Sequence, residues 1–150
     1  MTMKNKALYA FLTYAGALPF VICMFFISFG ISQVFYLPRF DHIVSSYALV
    51  ILSFLAGVHW GIYLYKEQDI PINLFVLSNV VTLFAWFAFL FTTLFWQLVI
   101  FSLSFALLLR VDYSLFRQSL ITLDYFQTRC NVTSIVILSL CTILLKLGIS

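Results

Sequence analysis

A chain of 150 residues that is 64% hydrophobic, 19% aromatic and only 9% charged cannot present water-facing side chains all round, because a soluble domain carries roughly a quarter charged residues. The same composition excludes intrinsic disorder, which requires low hydrophobicity and high charge. What remains is an integral membrane protein, since apolar runs of about 20 residues match the bilayer core.

The charges punctuate the chain. Lys4 and Lys6 precede a first uncharged run, which Arg39, Asp41 and His42 close. This run predicts a helix over 7–32. Pro19 lies inside it, cannot donate a hydrogen bond to Ala15 and clashes with that carbonyl, so a kink is expected, eased by Gly16. The freed carbonyl needs a donor within lipid, which a polar side chain of a neighbouring helix can supply. The run exceeds the roughly 7–15 apolar residues of a signal peptide, and no small-x-small cleavage pattern follows, so it is read as a retained span.

The second run, up to Lys66, predicts a helix over 44–65. It carries Ser53, Gly57 and Gly61 at four-residue spacing, a pattern that lets helix backbones approach closely. These positions are expected to seat another helix of the chain. His59 is the one His, Asp, Glu, Lys or Arg inside these first two predicted spans, and such groups face the bundle interior and mark candidate functional sites. It lies about 200° round the helix from Gly57 at ~100° per residue, so the second helix is expected to be central and contacted on both sides.

The stretch 70–109 carries no charge at all. As one helix it would be about 60 Å long, twice the ~30 Å hydrocarbon thickness. It therefore divides into spans over 73–91 and 95–109, with the turn at Thr92-Thr93-Leu94-Phe95 and an interfacial Trp96-Gln97 beyond. The fourth span is short, and continuation past a snorkelling Arg110 would lengthen it. The segment 110–129 holds Leu115, Phe116, Leu120 and Leu123 near helical spacing, with Arg117, Gln118 and Asp124 between them. It reads either as an amphipathic helix on the membrane surface or as a solvated connector. A fifth span covers 131–147. The fold class is all-α: one polytopic domain over 1–150, a bundle of five transmembrane helices. A transmembrane barrel is excluded because segments such as 84–91 do not alternate in polarity.

Lys and Arg in the short loops set the orientation. Lys4, Lys6, Lys66, Arg110, Arg117 and Arg129 fall on one side and Arg39 and Lys146 on the other. The N-terminus is thus expected inside and the C-terminus outside. Counting residues from the helix ends then puts His59, Asn79, Tyr14, Ser104 and Thr133 in one layer, about 5–10 Å below the inner boundary at ~1.5 Å per residue. Asn79 or Tyr14 is the expected hydrogen-bond partner of His59.

Specific residues also resemble a known family. The first span carries Tyr14-Ala15-Gly16-Ala17-Leu18-Pro19-Phe20. The second carries Tyr47-Ala48 and then Ile51-Leu52-Ser53-Phe54-Leu55-Ala56-Gly57-Val58-His59-Trp60-Gly61. Together with Ala85-Trp86, Asp112, Arg129 and Thr133, these resemble the domain of unknown function 3429 family of transmembrane protein 69-like proteins. In the third helix, where the family pattern has a proline, this chain has Asn79 or a neighbour. The resemblance implies a compact bundle in an inner membrane of bacterial or mitochondrial type, and it implies no activity.

Several chemistries lack their motifs. There is no Gly-rich phosphate loop, paired-cysteine metal motif or His-Glu-x-x-His sequence. Cys23, Cys130 and Cys141 show no ligand spacing and read as small packing residues. His42 and His59 fall at opposite sides of the membrane, so they do not form a haem ligand pair. The net charge of +3 is dispersed over loops rather than gathered on a nucleic-acid-binding face. No catalytic, metal or cofactor-binding residue is assigned, no cofactor is expected, and one histidine without a placed carboxylate makes a thin active site. Two function classes stay open. One is a non-enzymatic scaffold or assembly partner of a membrane complex. The other is a small transporter or channel subunit using the polar layer around His59. The expected partners are the lipid bilayer and either a membrane protein or a second copy of the chain.

Overall fold

The computed structural model describes residues 3–65 and 73–149, and its regular elements are all helices. The first span is two helices, α1 (Met3–Ala15) and α2 (Leu18–Ser28), followed by α3 (Phe40–Tyr65), α4 (Leu74–Phe91), α5 (Leu94–Arg117) and α6 (Leu123–Ile149). With α1 and α2 counted as one, five helices among the described residues are long and apolar enough to cross a membrane. The connection between the second and third predicted spans, 66–72, lies outside the described residues.

Proline chemistry accounts for the break between α1 and α2. Pro19 occupies the first turn of α2, where its missing N–H costs least. The Phe20 and Val21 N–H groups both bond the Ala17 carbonyl, at 3.1 and 3.3 Å. The Gly16 carbonyl is left over, and the Tyr47 hydroxyl of α3 donates to it at 3.0 Å. A donor from a neighbouring helix does serve the kink, one residue beyond the Ala15 carbonyl expected from the sequence. At its other end α2 stops at Ser28 rather than near 32. Gly30 takes a φ of 75°, and the Ile31 N–H reaches back to the Phe26 carbonyl at 2.9 Å, the left-handed cap that glycine makes cheap.

Helix α3 is central, packing against α2, α4 and α5, while α6 packs against α5, α2 and α1. Its inward face is Val44, Ser45, Ala48, Leu52, Ala56 and His59. This corrects the small-residue stripe. A Cβ built on Gly57 or Gly61 meets nothing within 4 Å, and the Ser53 hydroxyl bonds the Leu49 carbonyl of its own helix at 2.9 Å. The inward row lies one residue earlier, about 100° round the helix. There Ala48 and Ala56 provide the small side chains, and on α4 the buried Ser78, Ala85 and Ala88 do the same. Phe20, Leu52, Phe101, Phe105, Leu140 and Ile143 fill the middle of the bundle, with the Phe20 and Phe105 rings edge to face at 5.9 Å.

The α4–α5 turn falls at Thr92 and Thr93, within the expected segment. Gln97 is tied down rather than simply interfacial. Its amide donates to the Phe89 and Thr92 carbonyls at 3.0 and 2.9 Å, and its oxygen accepts from the Ser45 hydroxyl of α3. At the opposite end of the bundle, α5 runs past Arg110 to Arg117 and α6 starts at Leu123, well before 131. Only 118–122 connects them, with Ser119 at φ 59°. Neither a surface helix nor a long solvated connector occupies 110–129. The segment is the ends of two spans, because two of its charges meet inside the bundle.

Candidate functional site

The buried face of α5 runs Leu98, Phe101, Phe105, Leu108, Val111 and Leu115 at three- and four-residue steps, and Asp112 lies on it. On α6 the buried row starts at Arg129 and continues through Thr133, Val136, Leu140 and Ile143. His59 ends the inward row of α3. His59 lies six residues before the end of α3, Asp112 five before the end of α5 and Arg129 six after the start of α6. At ~1.5 Å per residue all three are about 8–9 Å in from the same end of the bundle.

They meet there. His59 Nε2 lies 2.8 Å from Asp112 Oδ1, and Arg129 Nε donates to Asp112 Oδ2 at 2.9 Å. Asp112 is wholly buried, and His59 and Arg129 are only 1% and 4% exposed. An ionised carboxylate only accepts hydrogen bonds, so Nε2 carries the hydrogen, and a neutral ring then leaves Nδ1 as an acceptor. In that state Asp112 and Arg129 balance each other and the centre is electrically neutral. Balance matters because an isolated charge in a low-dielectric interior is far more costly than a paired one. Both carboxylate oxygens are engaged, so the arrangement binds three helices at one point.

Each oxygen of Asp112 has a partner, but the centre is open at its edges. Among the described residues, His59 Nδ1, Arg129 Nη2, Thr133 Oγ1 and Tyr9 Oη are buried polar atoms without a hydrogen-bond partner. Arg129, Thr133 and Tyr9 belong to the wall of a cavity of about 360 Å³ that lies between the α1–α2 break, α3, α5 and α6. No group of three metal-ligating side chains occurs among the described residues.

The layer expected from the sequence separates into two sets. His59, Ser104 and Thr133 are buried in the bundle. Asn79 and Tyr14 face outward, so neither partners His59. Asn79 Nδ2 donates to the Phe75 carbonyl of its own helix at 2.8 Å, and the Tyr14 hydroxyl accepts from Asn131 at 3.1 Å. Counting from helix ends gives depth but not direction round the axis, and Ser78, beside Asn79, holds the inward position on α4. Asp112 and Arg129 entered the sequence reading only through the resemblance and as loop charges. A signal for Asp112 was present: 95–109 is too short to cross the bilayer, and its apolar face continues through 111 and 115.

A bundle of five membrane-length helices gathered round a buried histidine, aspartate and arginine defines a multi-pass membrane protein with a charged intramembrane centre. The family model for the protein of unknown function DUF3429 matches residues 5–145, and the chain belongs to that family. No curated protein and no solved structure matches it.

Proposed function

We propose that the protein is a non-enzymatic scaffold or assembly partner of a membrane complex, acting as one intramembrane domain. The observation that carries this reading is Asp112, whose two oxygens are taken by His59 and Arg129. Asp112 is wholly buried, so it offers no surface to a substrate, and it holds α3, α5 and α6 in fixed relation. A bundle locked in this way keeps its outer faces constant, as a docking platform requires. We further infer an inner membrane of bacterial or mitochondrial type, with the N-terminus inside and the C-terminus outside. With Arg129 withdrawn into the bundle, Lys4, Lys6, Lys66, Arg110 and Arg117 still outnumber Arg39 and Lys146, and positive residues favour the inner side. Cross-linking in native membranes followed by purification in mild detergent tests the scaffold role. A partner recovered in fixed stoichiometry is expected, and a strictly solitary protein would refute it.

A second reading, a small transporter or channel subunit, draws on His59 Nδ1, a buried acceptor within the charged centre. A histidine ring can take up a proton at one nitrogen and release one at the other. In proteoliposomes this reading requires a pH-dependent flux that His59→Gln abolishes while the helical fold is kept.

A further inference from the structure

The cavity beside the charged centre has a polar end and an apolar body. At the polar end, Arg129 Nη2 and the Thr133 hydroxyl are buried without partners, on residues 4% and 1% exposed. They lie one helical turn apart on α6, and both residues line the same space. Within a membrane such donors find no water from the lipid side, so an acceptor from elsewhere is called for. The rest of the wall includes Ile51, Phe54 and Val136. Leu12 and Phe54, both well exposed on the outside of the bundle, flank its edge, so the space opens towards the lipid between the first span and α3.

We propose that this cavity binds a neutral amphiphile by a carbonyl oxygen, which accepts from Arg129 Nη2 and Thr133, while its apolar chain leaves past Leu12 and Phe54 into the bilayer. Three observations select this class. Arg129 Nη2 can only donate, and the threonine hydroxyl is free to do so, which calls for an acceptor head. Asp112 already pairs with Arg129, so an anionic head would bring a second buried negative charge to an arginine that has its counter-charge. A volume of about 360 Å³ lies at the low end for small-molecule sites, enough for a head group and the first part of a chain rather than for a whole lipid. A quinone ring and an acyl ester both carry this chemistry.

The test uses full-length protein in lipid nanodiscs, with equilibrium binding of radiolabelled decylubiquinone, methyl decanoate and decanoate measured over a range of concentrations. Binding at one site saturates, whereas partition into the bilayer of protein-free nanodiscs rises in proportion to concentration. Saturation is expected with at least one of the two neutral probes. The ring carbonyl is the natural head if decylubiquinone alone saturates, and the ester carbonyl if methyl decanoate alone does. Thr133→Val removes one donor without touching the Asp112 clamp and should weaken the saturating probe about tenfold. Val136→Trp fills the cavity and should abolish saturation. The helical signal of each variant shows that it has folded, and if Val136→Trp fails to fold, Thr133→Val decides alone. Saturation by neither neutral probe, tighter binding of decanoate than of methyl decanoate, or unchanged affinity in Thr133→Val would overturn the proposal.

Discussion

Asp112→Asn keeps the shape of the side chain and removes its charge, so its effect reports directly on the centre. The amide oxygen can still accept from one of the two donors, but the new NH₂ group faces the other, either His59 Nε2 or Arg129 Nε. Arg129, 4% exposed, loses its counter-charge. Removing one partner of a buried pair costs about 3–5 kcal/mol, a large part of a typical total of about 5–15 kcal/mol. For a chain of this length ~1 kcal/mol moves the midpoint by about 2–4 °C, so the variant should unfold roughly 6–20 °C below the parent protein. Asp112→Asn combined with Arg129→Gln removes both charges together. The pair should be less damaging than the sum of the single changes, with a coupling above about 2 kcal/mol. Thermal unfolding in detergent, followed by the fraction that still elutes as a folded monodisperse species, measures all three variants. An Asp112→Asn variant within about 0.5 kcal/mol of the parent, the range of an ordinary surface change, would refute the reasoning, and so would strict additivity in the double variant.

Gly57→Leu and Gly61→Leu should be tolerated to within about 0.5 kcal/mol, since an added Cβ meets nothing within 4 Å at either site. Ala48→Leu, at a wholly buried position on the inward face of α3, should cost about 1–3 kcal/mol in the same unfolding assay. Tyr47→Phe should lower stability by about 0.6–2 kcal/mol, because it strips the Gly16 carbonyl of its donor at the α1–α2 break; no change on unfolding would show that the break is satisfied without it. In a background lacking Cys23, Cys130 and Cys141, Ser119→Cys and Tyr36→Cys should react with impermeant thiol reagents from opposite sides of the membrane, with Ser119→Cys on the inside; reaction of both from one side would contradict the five-span arrangement.

The features legible in the sequence were those with a local or periodic cause. Runs without charge mark the helices, Thr92 and Thr93 mark the turn that a 40-residue run must contain, and Pro19 marks the break. His59 was legible as an inward residue because a lone imidazole facing lipid is costly. Its partner was not, since Asp112 is 53 residues away along the chain and a charge in an apolar sequence ordinarily signals the end of a span. That rule fails where opposite charges cancel inside the bundle, and here the failure moved two helix boundaries at once. The glycine stripe failed for another reason. Spacing of four residues identifies a face of a helix but not which side is inward, and on α3 the alanine-bearing row one residue earlier won that position.

The Asp112–Arg129 pair also bears on how the chain enters a membrane during synthesis. The two residues belong to consecutive helices and are joined through the short 118–122 connection. Either helix alone would carry an uncompensated charge into lipid, at about 2.5–3.5 kcal/mol for such a residue at mid-membrane and less near the edge. Side by side, the two form an electrically balanced hairpin. Each charge is thus better tolerated in lipid once the other helix lies beside it, so the last two spans are expected to insert most readily as a pair. Helix α3 adds His59 to that pair.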